Sequence, residues 1–139
     1  MKNWVFATIS CLTLLTAATA FAQSNVVSRA NVPFEFRVGK AILPAGHYEV
    51  RSGRVPDLLS IQCSDCKARA TIITIPVETP KAAEASTLVF HRYNQTYFLA
   101  KVWTDGDSQG LELRKSKAER ELARNGSLDE PVVVALARP

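Results

Sequence analysis

The sequence predicts a mainly β fold: a small antiparallel sandwich or a partly closed barrel of about seven strands, with one short C-terminal helix. Three features predict it. Apolar and polar residues alternate in several short segments, turn-forming residues separate these segments, and a helical pattern occurs only near the end of the chain. With 139 residues, 47% hydrophobic and 22% charged, the composition is that of one compact domain and excludes a collagen-like or wholly disordered protein.

Residues 1–22 have the composition of a secretory signal peptide. Lys2 supplies a positive charge, an uncharged and mostly apolar run follows, and Ala20 and Ala22 predict cleavage before Gln23. We expect the mature chain to be periplasmic or extracellular and not to be an integral membrane protein after cleavage. Loss of Lys2 lowers the formal net charge from +4 to +3, far from the basic stripe of a nucleic-acid-binding protein, so we expect no nucleic acid partner.

The mature chain is predicted to begin with a flexible segment, 23–31, followed by a single β-rich domain, 32–139. In this domain, residues 32–38 alternate as a strand with one buried face. Pro44 and nearby glycines mark a turn, and a second strand is predicted at 47–51.

The third and fourth strands are predicted to form a hairpin around a two-residue turn at Ser64 and Asp65. Their apolar residues then lie opposite each other, and the pairs are Cys63 with Cys66, Ile61 with Ala68 and Leu59 with Ala70. A further apolar strand continues to residue 77.

Two aromatic-rich strands, 86–93 and 96–103, flank a turn-sized gap and predict a second hairpin. Apolar residues occupy both alternating positions here, so we expect this hairpin to be covered on both sides. A last buried strand is predicted at 132–137.

The helical pattern near the end of the chain predicts a helix over 117–124. Ser116 and Glu119 have the spacing of a capping box, in which the hydroxyl and the carboxylate each satisfy a backbone N–H at the helix start. Ala118 and Leu122 form a narrow apolar stripe, and so short a helix must dock on the sheet to be stable.

Four segments of the chain resemble, in their order, a group of small exported bacterial proteins: VPFEFRVG, LPAGHYEV, LVFHRYNQTYFLAKVW and KSKAERELA. The resemblance covers most of the mature chain. It implies export and a β-rich domain, and it carries over no activity.

Cys63 and Cys66 are the cysteines of the mature chain, and their place at a hairpin end in an exported protein predicts a disulfide. Two alternatives remain open. The pair could be a redox dithiol, although both flanks have a strand pattern rather than the helix start that lowers a thiol pKa. It could also hold a metal together with His47 and His91, which would complete four zinc ligands.

A basic cluster precedes and follows the helix start: Arg114, Lys115, Lys117, Arg120 and Arg124. Because Glu112, Glu119 and Glu121 interrupt it, we interpret the cluster as a solvated helix face, with contact to an anionic partner as the alternative.

No sequence spacing typical of a catalytic site occurs, so the leading hypothesis is a non-enzymatic exported binding or structural module of the cell envelope or extracellular space. We expect a protein or another envelope component as partner and no cofactor. The first alternative is a small redox or metal-dependent protein that uses Cys63 and Cys66 with a histidine. The second is a carrier of a small apolar ligand, with these aromatic residues as candidate lining unless they fill the core: Phe34, Phe36, Tyr48, Phe90, Tyr97 and Trp103.

Overall fold

The structure is a computed structural model that describes residues 26–52, 57–126 and 128–137. These residues form ten strands and one helix: β1 (Val26–Val32), β2 (Phe36–Val38), β3 (Ala41–Leu43), β4 (Gly46–Ser52), β5 (Leu58–Cys63), β6 (Arg69–Glu78), β7 (Thr87–Tyr93), β8 (Thr96–Trp103), β9 (Gln109–Leu113), α1 (Lys117–Asn125) and β10 (Val132–Ala135). The predicted signal peptide lies outside the described residues.

The strands form one curled sheet, with the order β1-β4-β5-β6-β9-β8-β7-β10 along its wall. All of these pairs are antiparallel. The two ends of the sheet meet at one bridge, where Arg29 of β1 and Ala137 exchange backbone hydrogen bonds of 2.7 and 2.8 Å. The sheet is therefore not closed by a continuous ladder, and the predicted mainly β class with one C-terminal helix is confirmed.

A short hairpin, β2–β3, completes the wall where β9 is too short to do so. β9 pairs with β6 and β8 but ends at Leu113. Beyond that point β2 pairs in parallel with β8, through Arg37 and Phe98, and β3 contacts β6. The hairpin therefore occupies the gap between β6 and β8, with Phe36, Val38 and Leu43 facing the interior.

The predicted β7–β8 hairpin is confirmed. Arg92 lies opposite Tyr97 with its guanidinium 5.8 Å from the ring centre, and His91 lies opposite Phe98. Asn94 takes a φ of 57° in the turn, in the left-handed region that Asn tolerates better than most residues. The hairpin is covered on both faces, as predicted, by the apolar core inside and by α1 outside.

The N-terminal part of the domain differs from the prediction. Residues 26–31, which the sequence placed in a flexible segment, belong to β1, and β1 pairs with β4 along its whole length. The inward residues Ser28 and Ala30 are small, so the apolar alternation that marks a strand is weak there. The predicted strand at 32–38 is in turn broken, because β1 ends at Val32 and β2 begins at Phe36.

The predicted register of the β5–β6 hairpin is wrong by two residues. Ile61 pairs with Ala70 and Leu59 with Ile72, so the turn spans 64–67 rather than two residues. A shift of two residues keeps every side chain on its predicted face. The alternating pattern of Leu59, Ile61 and Cys63 on the inward face is therefore as predicted.

No helix among the described residues is long and apolar enough to cross a membrane.

Candidate binding site

The interior of the curled sheet has two different ends, and one of them is filled by aromatic rings. Phe36 contacts Tyr48 and Phe90 edge to face, at centroid distances of 5.1 and 5.4 Å. Phe34 stacks on Tyr97 at 3.9 Å and meets Phe90 edge-on at 5.0 Å. Five of the six predicted ligand-lining aromatics therefore pack against one another at this end, which we name the aromatic end.

The sixth candidate, Trp103, lies apart from the aromatic end. It pairs with Gly110 of β9, and a Cβ atom at Gly110 would come within 2.5 Å of the indole ring. Gly110 thus gives the indole the space it occupies, and a larger residue there would displace the ring.

Tyr48 ties the aromatic end to the turn before β4. Its hydroxyl donates a hydrogen bond to the carbonyl oxygen of Pro44. Burial and, to a smaller extent, the charge of Asp65 raise the pKa of Tyr48 above its ordinary value. The phenol therefore stays protonated and remains a donor to the turn.

The opposite end of the interior is open and forms a cup of about 510 Å³. Its floor consists of inward apolar side chains from several strands and from the segment after β10: Val50, Leu59, Val102, Leu111 and Leu136. Its rim consists of polar residues: Ser28, Ser52, Asp57, Thr104, Asp107 and Gln109. The cup exists because the inward positions at this end carry small or aliphatic residues where the aromatic end carries rings.

Two carboxylates give the rim a negative charge, and the described lining residues include no Lys or Arg. Hydrogen bonds fix the backbone of Asp57 and the carboxylate of Asp107. The carbonyl of Asp57 accepts from the backbone N–H and the hydroxyl of Thr74, and the Asp107 carboxylate accepts from the Gln109 N–H at 2.9 Å. Such a cup can accept an apolar group on its floor and hydrogen-bond donors or a cation at its rim.

The cysteine pair lies at the aromatic end, where β5 meets its turn. The two sulfur atoms are 2.06 Å apart and the Cα atoms 5.3 Å apart, as in a disulfide. Cys63, Asp65 and Cys66 have potential ligand atoms within 4.8 Å of one another, but neither His47 nor His91 belongs to this group of described residues. Sulfur atoms joined to each other also lack the thiolate that zinc needs.

His91 lies elsewhere, beneath α1, in a polar contact that the sequence did not predict. With its ring hydrogen on Nδ1, His91 donates to Glu119 Oε1 at 2.9 Å, and the Tyr93 hydroxyl donates to the same oxygen at 3.2 Å. Glu119 is 4% exposed. Half of the predicted capping box is present, since Ser116 Oγ accepts from the Glu119 N–H at 3.2 Å. The other half is wrong, because the carboxylate binds the sheet instead of the helix start.

The contact among His91, Tyr93 and Glu119 joins the helix to the outer face of the hairpin. Burial, followed by the charge and hydrogen bond of Glu119, raises the pKa of Tyr93. His91 and Tyr93 alternate on one face of β7, and two such polar-tipped rings side by side were the available signal that this face needs a polar cover.

A carboxylate that orients a histidine also occurs in general-base catalysis. In the described part of the chain, however, the hydrogen bonds of His91 reach Glu119 and no hydroxyl or thiol nucleophile. The contact joins α1 to β7, whereas the cup offers an open volume for a ligand. No family model, no curated protein and no solved structure gives a significant match to this chain.

Proposed function

We propose that this protein is a non-enzymatic exported binding module, and that its cup takes a small ligand with an apolar body and a hydrogen-bond-donating or cationic end. The single observation that carries the proposal is the cup of about 510 Å³ with an apolar floor and an acidic rim. Its volume lies in the range of about 300–1,000 Å³ that is usual for small-molecule sites.

The position of the cup supports binding rather than incomplete packing. Inward side chains of β1, β4, β5, β8 and β9 line it together, so a ligand would contact most of the wall at once. The apolar floor would exclude water from the ligand body, whereas Asp57 and Asp107 would select its polar end.

Export is the second part of the proposal. The signal-peptide pattern at 1–22 supports it, and so does the cysteine pair at disulfide distance, because disulfides persist mainly outside the reducing cytosol. A small exported β-domain that binds a ligand without transforming it needs no catalytic group in the cup.

Binding can be tested with N-phenyl-1-naphthylamine, an uncharged apolar fluorophore that brightens outside water. We expect saturable fluorescence enhancement with one site per chain. Ser52→Phe places a ring in the cup and should reduce the affinity at least tenfold, since it removes most of the space for the fluorophore.

Ser60→Phe is the matched control, because Ser60 lies on β5 with its side chain on the outward face. It makes the same substitution without filling the cup and should leave the affinity unchanged. Equal losses in the two variants, or no saturable binding to the unsubstituted protein, would refute the cup as the binding site.

A further inference from the structure

A second surface, unrelated to the cup, is a groove where the β2–β3 hairpin, β6 and the start of α1 meet. It has a volume of about 580 Å³ and is lined by five cations and one carboxylate, Glu121. The cations are Arg37, Lys40, Arg114, Lys115 and Lys117. We name it the cationic groove.

The groove concentrates the positive charge of the protein. Its five cations and single carboxylate leave an excess of four positive charges, which exceeds the net charge of +3 expected for the chain without residues 1–22. The remainder of that chain then carries a net charge of −1. The ion pairs among the described residues join other side chains, so these cations are not neutralised within the fold.

The positive surface continues from the groove along α1. Lys117, Arg120, Glu121 and Arg124 lie at helical spacings of three and four residues and line an adjoining depression. With these side chains the surface extends over the length of the helix.

Apolar side chains accompany the cations. Ile42 and Ile72 line the groove, and Ile42 is 54% exposed at the outward face of β3. An exposed isoleucine among unpaired cations suits a partner that offers anions together with an apolar layer.

We infer that the cationic groove docks the protein on an anionic phospholipid surface, with the Lys and Arg side chains on the headgroup phosphates and Ile42 in the adjacent acyl region. Charge complementarity supports the headgroup contact, and the exposed Ile42 supports a bilayer over a nucleic acid. The described lining of the groove contains aliphatic residues and no aromatic ring on which bases could stack. The inference does not depend on ligand binding in the cup.

Vesicle sedimentation tests the docking, with protein expressed from the full sequence. We expect binding to vesicles of phosphatidylglycerol and phosphatidylcholine, weak binding to vesicles of phosphatidylcholine alone, and release as salt rises from about 0.1 to 0.5 M. If the predicted signal peptide were retained and bound the vesicles itself, that binding would be the same for all variants of the groove.

The decisive comparison uses two triple variants of equal charge. Arg114→Gln, Lys115→Gln and Lys117→Gln together should weaken binding to the anionic vesicles about 100-fold, at about fivefold for each cation. Arg29→Gln, Arg51→Gln and Lys81→Gln remove the same charge from residues outside the groove and should weaken binding less than about fivefold. All six side chains are exposed, and thermal unfolding verifies that both variants fold.

Ile42→Ser tests the apolar part and should weaken binding to the anionic vesicles about tenfold, whereas Val133→Ser, at a similarly exposed position on β10, should not. The proposal fails if the two triple variants lose binding equally, since net charge alone would then explain it. It also fails if a single-stranded oligonucleotide binds the groove more tightly than the vesicles do.

Discussion

The two faces of β7 are stabilised in different ways. On the inner face, Leu88 and Phe90 are 1% and 0% exposed and belong to the apolar core. On the outer face, His91 and Tyr93 are covered by α1 through hydrogen bonds to the buried carboxylate of Glu119. Packing on the inner face depends on the size and shape of apolar groups. The contact among His91, Tyr93 and Glu119, which we name the outer contact, depends on the pairing of particular polar atoms.

This difference shows what a docked helix requires in a small domain. Ala118 and Leu122 are only half-buried and give α1 little apolar area. A polar contact makes up for that, because a buried carboxylate with two donors is expensive to separate from them. The inner face should therefore tolerate apolar substitutions of equal volume, and the outer contact should not.

The largest expected effect is at the centre of the inner face. Phe90→Ala removes a fully buried ring that contacts both Phe34 and Phe36, and it should lower the free energy of unfolding by about 3–5 kcal/mol. Urea denaturation followed by tryptophan fluorescence measures it. A loss below about 1 kcal/mol would mean that the aromatic end is loosely packed and would remove the contrast with the cup.

The outer contact should give the second largest effect. Glu119→Ala leaves the buried Tyr93 hydroxyl without its acceptor and should lower the free energy of unfolding by about 2–3 kcal/mol. Glu121→Ala is the control, because Glu121 lies exposed on the same helix and should change stability by less than about 0.5 kcal/mol. Similar values for the two variants would show that α1 is docked by its apolar stripe instead.

The cysteine pair connects the inner face to the surface, since Cys63 is buried and Cys66 is exposed. Its loop is short, with a sequence separation of 3, so the bridge restricts the unfolded chain only modestly. Replacing both cysteines by Ser should lower the free energy of unfolding by about 2 kcal/mol in urea denaturation. A thiol titration of the unsubstituted exported protein provides the control, and two free thiols there would refute the disulfide.

The inward face of β5 could be predicted from the sequence because its apolar residues recur at every second position. Leu59, Ile61 and Cys63 alternate with polar residues, and all three face the core. The register of the same hairpin could not be predicted, because a shift of two residues leaves the alternation unchanged. Periodicity determines which face is buried and leaves the partner of each residue undetermined.

The cup and the outer contact escaped prediction for other reasons. Ser28 and Ser52 face the interior, and a serine gives no sign of whether it faces inward or outward. Glu119 matched a local capping pattern, and its actual partners lie 26 and 28 residues away in the chain. The capping spacing of Ser116 and Glu119 is visible in the sequence, whereas the contact of the Glu119 carboxylate with His91 and Tyr93 is not.

The smallest expected effect is a change in the pH dependence of stability, which distinguishes the outer contact from the inner packing. Burial, together with Glu119, raises the pKa of Tyr93 in the folded protein above the ordinary value of 10.0. As the pH rises past that value, the folded state retains a proton that the unfolded chain releases. The stabilisation is therefore complete below about pH 10 and is lost as the pH rises through the folded pKa. Tyr93→Phe should flatten the decline of the unfolding temperature above pH 10.

Tyr48 is the matched residue on the inner side, where burial and Asp65 raise the pKa in the same direction. Tyr48→Phe should flatten the same decline independently, and the double variant should flatten it by the sum of both effects because the two phenols share no partner. Thermal unfolding between about pH 9 and 11 measures these slopes. If Tyr93→Phe left the slope unchanged while Tyr48→Phe removed it, the outer phenol would not be held by Glu119 in solution, and the polar contact on the outer face of β7 would depend on His91 alone.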